Sequence, residues 1–255
     1  MKFRLGLVAI LFCFVLSSNA IAKSFPTASP ESVGMSSQRL MRIDEALKAD
    51  IKSGKIPAAS VLIYRRGKVV YHKNFGTMDK DKKVPLRNDT IYRIYSMTKP
   101  LTSTAIMMLF EEGKLLLSDP VAKYIPEFKE MQVTSFKKDA SGKEILEKAK
   151  SPITIQQLLT HTSGLIYFFY VPNEFRKPHL AAAYGGKTIA QVAKKTATLP
   201  LAYQSGTKYL YSNSFSILGR VVEVASGMSF DQYLEKVSFS RWGWWIQDLT
   251  SRNQN

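Results

Sequence analysis

Cysteine is almost absent from this chain. The single cysteine among 255 residues is Cys13, inside an apolar N-terminal run, so the rest has no thiol nucleophile, no disulfide and no thiolate metal site. Histidine is nearly as scarce: His72, His161 and His179 are scattered singly, which is not a metal-ligand pattern. There is no Gly-x-Ser-x-Gly stretch, which disfavours an α/β-hydrolase. No P-loop, zinc-finger or RNA-recognition motif occurs, and there are no internal repeats. Acids are few as well, with 20 Asp and Glu against 36 Lys and Arg, a formal net charge of +16. The lysines are dispersed or sit in mixed runs such as "KKDASGKEILEKAK", expected as a solvated loop or hairpin. That pattern argues against nucleic acid and leaves an anionic envelope surface as the partner such a charge suits.

What is present begins with a leader. Lys2 and Arg4 precede the apolar run Leu5–Leu16, and the small-residue stretch "SSNAIAKS" follows. This is the pattern of a secretory signal peptide, with cleavage expected after Ala22 and a periplasmic or secreted product. The run is short for a membrane span. Residues 1–22 carry Lys2, Arg4 and no acid, so removing them takes two from the net +16 and leaves +14. With 45% hydrophobic residues, the remainder is long enough to bury a sizeable core.

Ser36 is placed to cap a helix in which Leu40, Ile43, Leu47 and Ile51 recur at helical spacing, ended by "SGKIP". "AASVLIYRRGKVVYHKNFG" predicts a β-hairpin turning at Arg66-Gly67, with His72 on its surface. Leu101–Glu112 is apolar on nearly all sides and predicts a buried helix closed by Gly113. A short amphipathic helix is expected over Thr154–Thr160, an aromatic loop over "YFFYVPNEF" with His179 in a loop after Pro178, and helices near 188–198, 213–226 and 229–237. The order helix, hairpin, long helical section implies an α+β fold: an antiparallel sheet with a helical region inserted between its parts.

"IYSMTKPLTST" carries the chemistry. Ser96 and Lys99 are three residues apart, hence neighbours on one helical face. A serine hydroxyl is a weak nucleophile until a base takes its proton. Burial beside an apolar helix and the positive helix N-terminus both disfavour the charged form of Lys99, so it can serve as that base. The free N–H groups of the first turn can face an oxyanion, and Pro100 loses no hydrogen bond there. Ser-x-x-Lys alone equally describes a capping serine with a solvated lysine. Downstream, Tyr211-Ser212-Asn213 stands at a loop-to-helix junction. Tyr211 can relay protons beside a cation, and Asn213 can donate its amide to a substrate carbonyl or to Lys99. A capping Ser/Asn pair with a packed tyrosine has the same letters.

Together, "SMTK", "LLTHTSGL" and "YSN", with "PESVGMSSQRL" and "GKIPAASVLIYRRGKVVYHKNFG", resemble the serine β-lactamase-like hydrolases: class C β-lactamases, D-Ala-D-Ala carboxypeptidases and related esterases. The likeness covers about residues 27 to 236. It implies a β-lactamase/transpeptidase-like fold, Ser96 as the acylated nucleophile, Lys99 as its partner, Tyr211 as general base or acid and Asn213 as a supporting polar residue. His161 becomes structural, at the end of a helix. No metal or cofactor is implied, and the substrate would be a small ester, a β-lactam or a peptidoglycan-like D-Ala peptide. The aromatic stretch Tyr167–Tyr170 could line an apolar acyl pocket.

The family's third motif, a Lys- or His-containing strand that supplies the second oxyanion N–H, has no counterpart in residues 214–255, and the C-terminal strands are expected to be missing. All three tryptophans fall in "RWGWWIQ". One frame over, the codons they force yield Gly and Val-Asp, and one allowed solution for Phe239–Gln254 reads "QPLGMVDTGFNVPEPE", similar to the family's continuation. We therefore expect an incomplete domain over residues 23–237, an out-of-frame tail over 238–255, low stability and impaired activity. The alternative is a non-catalytic basic envelope-binding protein.

Overall fold

The computed structural model describes residues 25–79, 81 and 83–239. The expected leader, and the tail beyond 239 with its tryptophans, lie outside the described residues. Internal contacts divide the chain into two compact units that meet at Thr90 and Ile91.

The first unit is a helix on a small sheet. Helix α1 (Ser37–Lys52) is capped by Ser36, whose hydroxyl accepts the Arg39 N–H at 3.2 Å, satisfying one of the donors that a helix start leaves free. Strands β1 (Ala58–Arg65) and β2 (Lys68–Asp79) form the predicted hairpin, and the short β3 (Val84–Pro85) extends it in the order β1-β2-β3. The turn falls at Arg66-Gly67, both with positive φ, as tight hairpin turns require. Alternation along β1 sends Val61 and Ile63 toward Leu40, Tyr71 and Phe75, with Ile43, Leu47 and Ile51 of α1 against them. Leu62 and Tyr64 take the other face and are about half exposed. Asp44 of α1 accepts hydrogen bonds from the Tyr71 hydroxyl at 2.8 Å and from Lys73 at 2.7 Å. Burial, and then that carboxylate, push the Tyr71 phenol up to about 12.

The second unit is mainly helical. A 3-10 turn, Tyr95–Met97, runs directly into α2 (Thr98–Glu111), and Gly113 follows with φ 69. Strands β4 (Gln132–Lys138) and β5 (Glu144–Lys148) form a hairpin of their own, where the charge pattern expected a solvated loop or hairpin. Helices α3 (Ile155–Leu159), α4 (Asn173–Tyr184), α5 (Ile189–Ala197), α6 (Ser214–Ser226) and α7 (Phe230–Leu234) follow, and α7 runs into a π turn over Glu235–Phe239. Helix α6 is the centre: it touches α2, α3, α5 and α7, and its Ile217, Leu218, Val221 and Val222 are fully buried. Helix α3 is held by a reciprocal cap: the Gln157 N–H donates to the Thr154 hydroxyl and the Thr154 N–H to the Gln157 side chain, the arrangement that settles two orphan donors at once.

Two expectations are corrected. Helix α2 is not buried on nearly all sides. Thr102, Ala105, Ile106 and Leu109 face the core, whereas Met107 and Phe110 are exposed, because α6 and α7 cover one side of it. His179 is not in a loop. It lies within α4 despite Pro178. Burial of Phe175, His179 and Ala182 at helical spacing holds that helix together across the hydrogen bond that proline removes, and the imidazole Nδ1 lies 3.1 Å from the Phe175 carbonyl.

Candidate active site

The N-terminus of α2 meets the loop entering α6. Ser96 sits in the 3-10 turn ahead of α2 and is exposed. The residue before it, Tyr95, has φ 45, a left-handed conformation that costs a non-glycine residue about 1–2 kcal/mol. Lys99 donates to the Ser96 Oγ at 3.0 Å, and the Tyr211 hydroxyl donates to the same atom at 2.6 Å. The contact from Tyr211 spans 115 residues of sequence, so no local pattern dictates it.

Lys99 is half-buried among rings. Its ammonium lies 4.7 Å from the centre of the Tyr211 ring and 5.8 Å from that of Phe215, within the range of cation–π attraction. Tyr167 shares the cleft wall with it, close enough to feel its charge. Burial raises the Tyr211 pKa, but hydrogen bonds with Lys99 and Ser96 and the Lys99 charge outweigh it, so the phenol lies below its ordinary value. For Tyr167, burial prevails over Lys99 and the shift is upward. Two phenols facing one cation are thus driven apart, the condition under which one of them becomes the better proton acceptor.

Main-chain bonds to "HTSG" hold Tyr211 in place. Ala202 donates to the Gly164 carbonyl at 2.8 Å, Gly206 to Thr162 at 2.8 Å and Leu210 to His161 at 2.9 Å. Gly164 has φ 86, and a Cβ there would lie 2.5 Å from the Tyr203 carbonyl oxygen, so only glycine permits this approach. Beneath the loop, the fully buried Ser163, Ser212 and Ser214 are linked in a chain of hydroxyls at 3.2 and 2.6 Å. His161 adjoins that chain, buried, at the C-terminal end of α3.

Ser96, Lys99 and Tyr211 therefore converge on one oxygen. Asn213 does not join them by its hydrogen bond: its amide nitrogen lies 3.4 Å from the Thr196 hydroxyl on α5, and its Oδ1 is buried without a hydrogen-bond partner. Tyr167, from the aromatic stretch expected to line an acyl pocket, stands on the wall of the cleft; its nearness to Lys99 is what motif spacing does not reveal. A cleft of about 770 Å³ opens beside Ser96 and Lys99, with Thr102, Tyr167, Ile189, Val192, Phe215 and Phe230 on its walls. Among the described residues, no cluster of histidine, cysteine and acidic side chains is suited to hold a metal.

Known proteins share this arrangement of elements. The Beta-lactamase family profile matches residues 43–249. The chain is 30% identical to Esterase EstB of Burkholderia gladioli over 190 residues, 73% of this chain and 45% of the esterase. Among solved structures, Simvastatin Synthase (LovD) from Aspergillus terreus superposes with a TM-score of 0.71 at 28% identity, covering 86% of this chain and 57% of the synthase. EstCE1, a hydrolase with promiscuous acyltransferase activity, gives 0.67 at 29% identity over 80% of this chain and 51% of its own. The chain spans about half the length, or less, of these relatives. With a profile match over most of its length and a β-lactamase/transpeptidase-like fold, the chain belongs to the Beta-lactamase family, whose members here are serine hydrolases and acyltransferases.

Proposed function

We propose that the chain is the acylating part of a serine hydrolase or acyltransferase, working through an acyl-enzyme at Ser96 on a small ester. The observation that carries this is the meeting of Lys99 Nζ and the Tyr211 hydroxyl on one Ser96 oxygen, at 3.0 and 2.6 Å. The Ser96 Oγ attacks the substrate carbonyl and its proton passes to the Lys99–Tyr211 pair. The carbonyl carbon gains a bond to Oγ and loses its bond to the alcohol oxygen, which takes up the proton from Tyr211. Water, or a second alcohol, then attacks the acyl-serine by the same proton path in reverse. The scheme needs no metal or cofactor.

An ester is favoured over a β-lactam or a D-Ala peptide because Tyr167, Ile189, Val192, Phe215 and Phe230 give the mixed cleft an apolar stretch of wall suited to an acyl chain, and because the named relatives include an esterase and a hydrolase with acyltransferase activity. Asn213 has a supporting role in this scheme, tying the start of α6 to Thr196 of α5. We place the reaction in the periplasm or outside the cell, on the strength of the leader pattern in residues 1–22.

The test is acylation itself. Incubation with a fluorophosphonate should add one adduct to Ser96, seen by mass spectrometry of the intact protein and its peptides, and Ser96→Ala should abolish both the adduct and p-nitrophenyl butyrate turnover. Unchanged turnover in a folded Ser96→Ala protein would exclude the mechanism. Labelling by a fluorescent penicillin but not by the phosphonate would transfer the proposal to β-lactam-like substrates.

A further inference from the structure

Tyr211 is held from both sides by a single residue. The Leu210 N–H, just before it, donates to the His161 carbonyl at 2.9 Å. The Ser212 N–H, just after it, donates to the His161 Nδ1 at 3.2 Å. The imidazole also lies 4.7 Å from the Tyr211 ring and 5.2 Å from that of Phe215, with Tyr209 at 6.0 Å. His161 itself has φ 56, so its backbone turns to present the carbonyl and the ring to the same loop.

A main-chain N–H can only donate. The Ser212 hydroxyl, 3.3 Å from the same Nδ1, can turn to donate or to accept, so the fixed N–H is the contact that selects Nδ1 as the unprotonated nitrogen and places the neutral ring's proton on Nε2. We propose that His161 is a positioning residue that clamps Tyr211 against Ser96, and that only its neutral Nε2–H form does so. Protonation would set an Nδ1–H against the Ser212 N–H, donor facing donor, and would add a second cation beside Lys99.

The groups facing the ring are Lys99 from α2, Phe215 from α6, and Tyr209, Tyr211 and Ser212 from the loop. Of these, Lys99 is the charged one. Burial first, and then the Lys99 charge, lower the His161 pKa. The clamp is thus intact at neutral pH and opens only below the ordinary imidazole range near 6.5.

The inference rests on the acyl-enzyme reading, and its test separates the two. His161→Gly keeps the left-handed backbone and removes the acceptor. His161→Asn tolerates that backbone, supplies an amide oxygen as acceptor and does not titrate. With p-nitrophenyl butyrate, His161→Gly should lose about tenfold or more in kcat with KM nearly unchanged, as expected for a misplaced catalytic group. His161→Asn should restore most of kcat and shift the acid limb of its pH profile away from that of the parent. In Ser96→Ala protein, which needs no turnover, 15N spectra of the histidine side chains should show the His161 Nδ1 unprotonated at pH 7.

A folded His161→Gly protein with kcat within about twofold of the parent would overturn the proposal, since misplacing a catalytic group costs far more. So would coincident acid limbs for the parent and His161→Asn, or a protonated Nδ1. If His161→Gly fails to fold, the Asn variant and the 15N spectrum still decide. Loss of the acyl-enzyme reading would appear separately, as turnover that survives in Ser96→Ala.

Discussion

Replacing Tyr211 with phenylalanine tests the proposed chemistry most directly, because it removes one oxygen and little else. That oxygen is 2.6 Å from the Ser96 Oγ. The ring stays, and with it the 4.7 Å contact to the Lys99 ammonium and the 4.7 Å contact to His161. Substrate binding should barely change, and the loss should fall on the step in which a proton moves. General acid–base groups contribute about 10²–10⁴-fold, or roughly 2.7–5.5 kcal/mol of barrier. The Lys99 ammonium remains 3.0 Å from Oγ and still stabilises the charge that develops there, so the lower half of that range, about 10²–10³-fold in kcat, is expected. The assay is steady-state hydrolysis of p-nitrophenyl butyrate from pH 5 to 10, with KM and kcat separated and folding confirmed by circular dichroism. The pH dependence has a definite sign. Burial pushes the Tyr211 pKa up, but Lys99 and Ser96 bring it down overall, so the parent rate should rise through a limb below the usual tyrosine value near 10. The phenylalanine variant should lack that limb. A kcat within about fivefold of the parent, or an unchanged alkaline limb, would refute the assignment, because a group worth a factor of 10² or more cannot be removed so cheaply.

Two further outcomes concern the frame around the site. Gly164→Ala places a Cβ 2.5 Å from the Tyr203 carbonyl at φ 86 and strains the bond from Ala202 to Gly164, so a loss of about 2–4 kcal/mol is expected. A urea midpoint equal to that of the parent, at equal slope, would contradict it. Asp119 accepts from the Leu116 N–H, Lys123 and the Tyr124 hydroxyl at 2.9, 2.9 and 2.6 Å. Asp119→Asn should cost about 1.5–3 kcal/mol at pH 7. Burial raises the Asp119 pKa, but those three donors lower it more, so its stabilisation is present above the unfolded carboxylate pKa and is lost as pH falls through the lower folded value. The gap between variant and parent should accordingly close in acid, as followed by urea titrations at stepped pH.

Local chemistry explains which parts could be read without the structure. The α1 cap at Ser36, the hairpin turn at Arg66-Gly67 and the approach of Lys99 to Ser96 involve neighbours a few residues apart, where propensity and spacing act directly. The class of fold and the triplet Ser96, Lys99 and Tyr211 follow from motifs taken together. Helix α4 was hidden because Pro178 and the preceding aromatics resemble a loop, and its stability comes from burying Phe175, His179 and Ala182. The nearness of Tyr167 to Lys99 and the double bond of His161 were hidden for another reason: both depend on segments that meet only after the "HTSG" strip lies beside residues 202–212. The buried amide of Asn213 is the same kind of case, since its turn toward Thr196 is a matter of helix packing.

The left-handed Tyr95 has a consequence for anyone reshaping this protein. It is exposed and lines the cleft, while its backbone holds a torsion that glycine or asparagine would adopt at little cost. Thermal robustness and the contour of the substrate entrance are therefore written into one position and pull in opposite directions. A library selected for heat resistance alone would drift toward small residues there and widen the entrance as it did so.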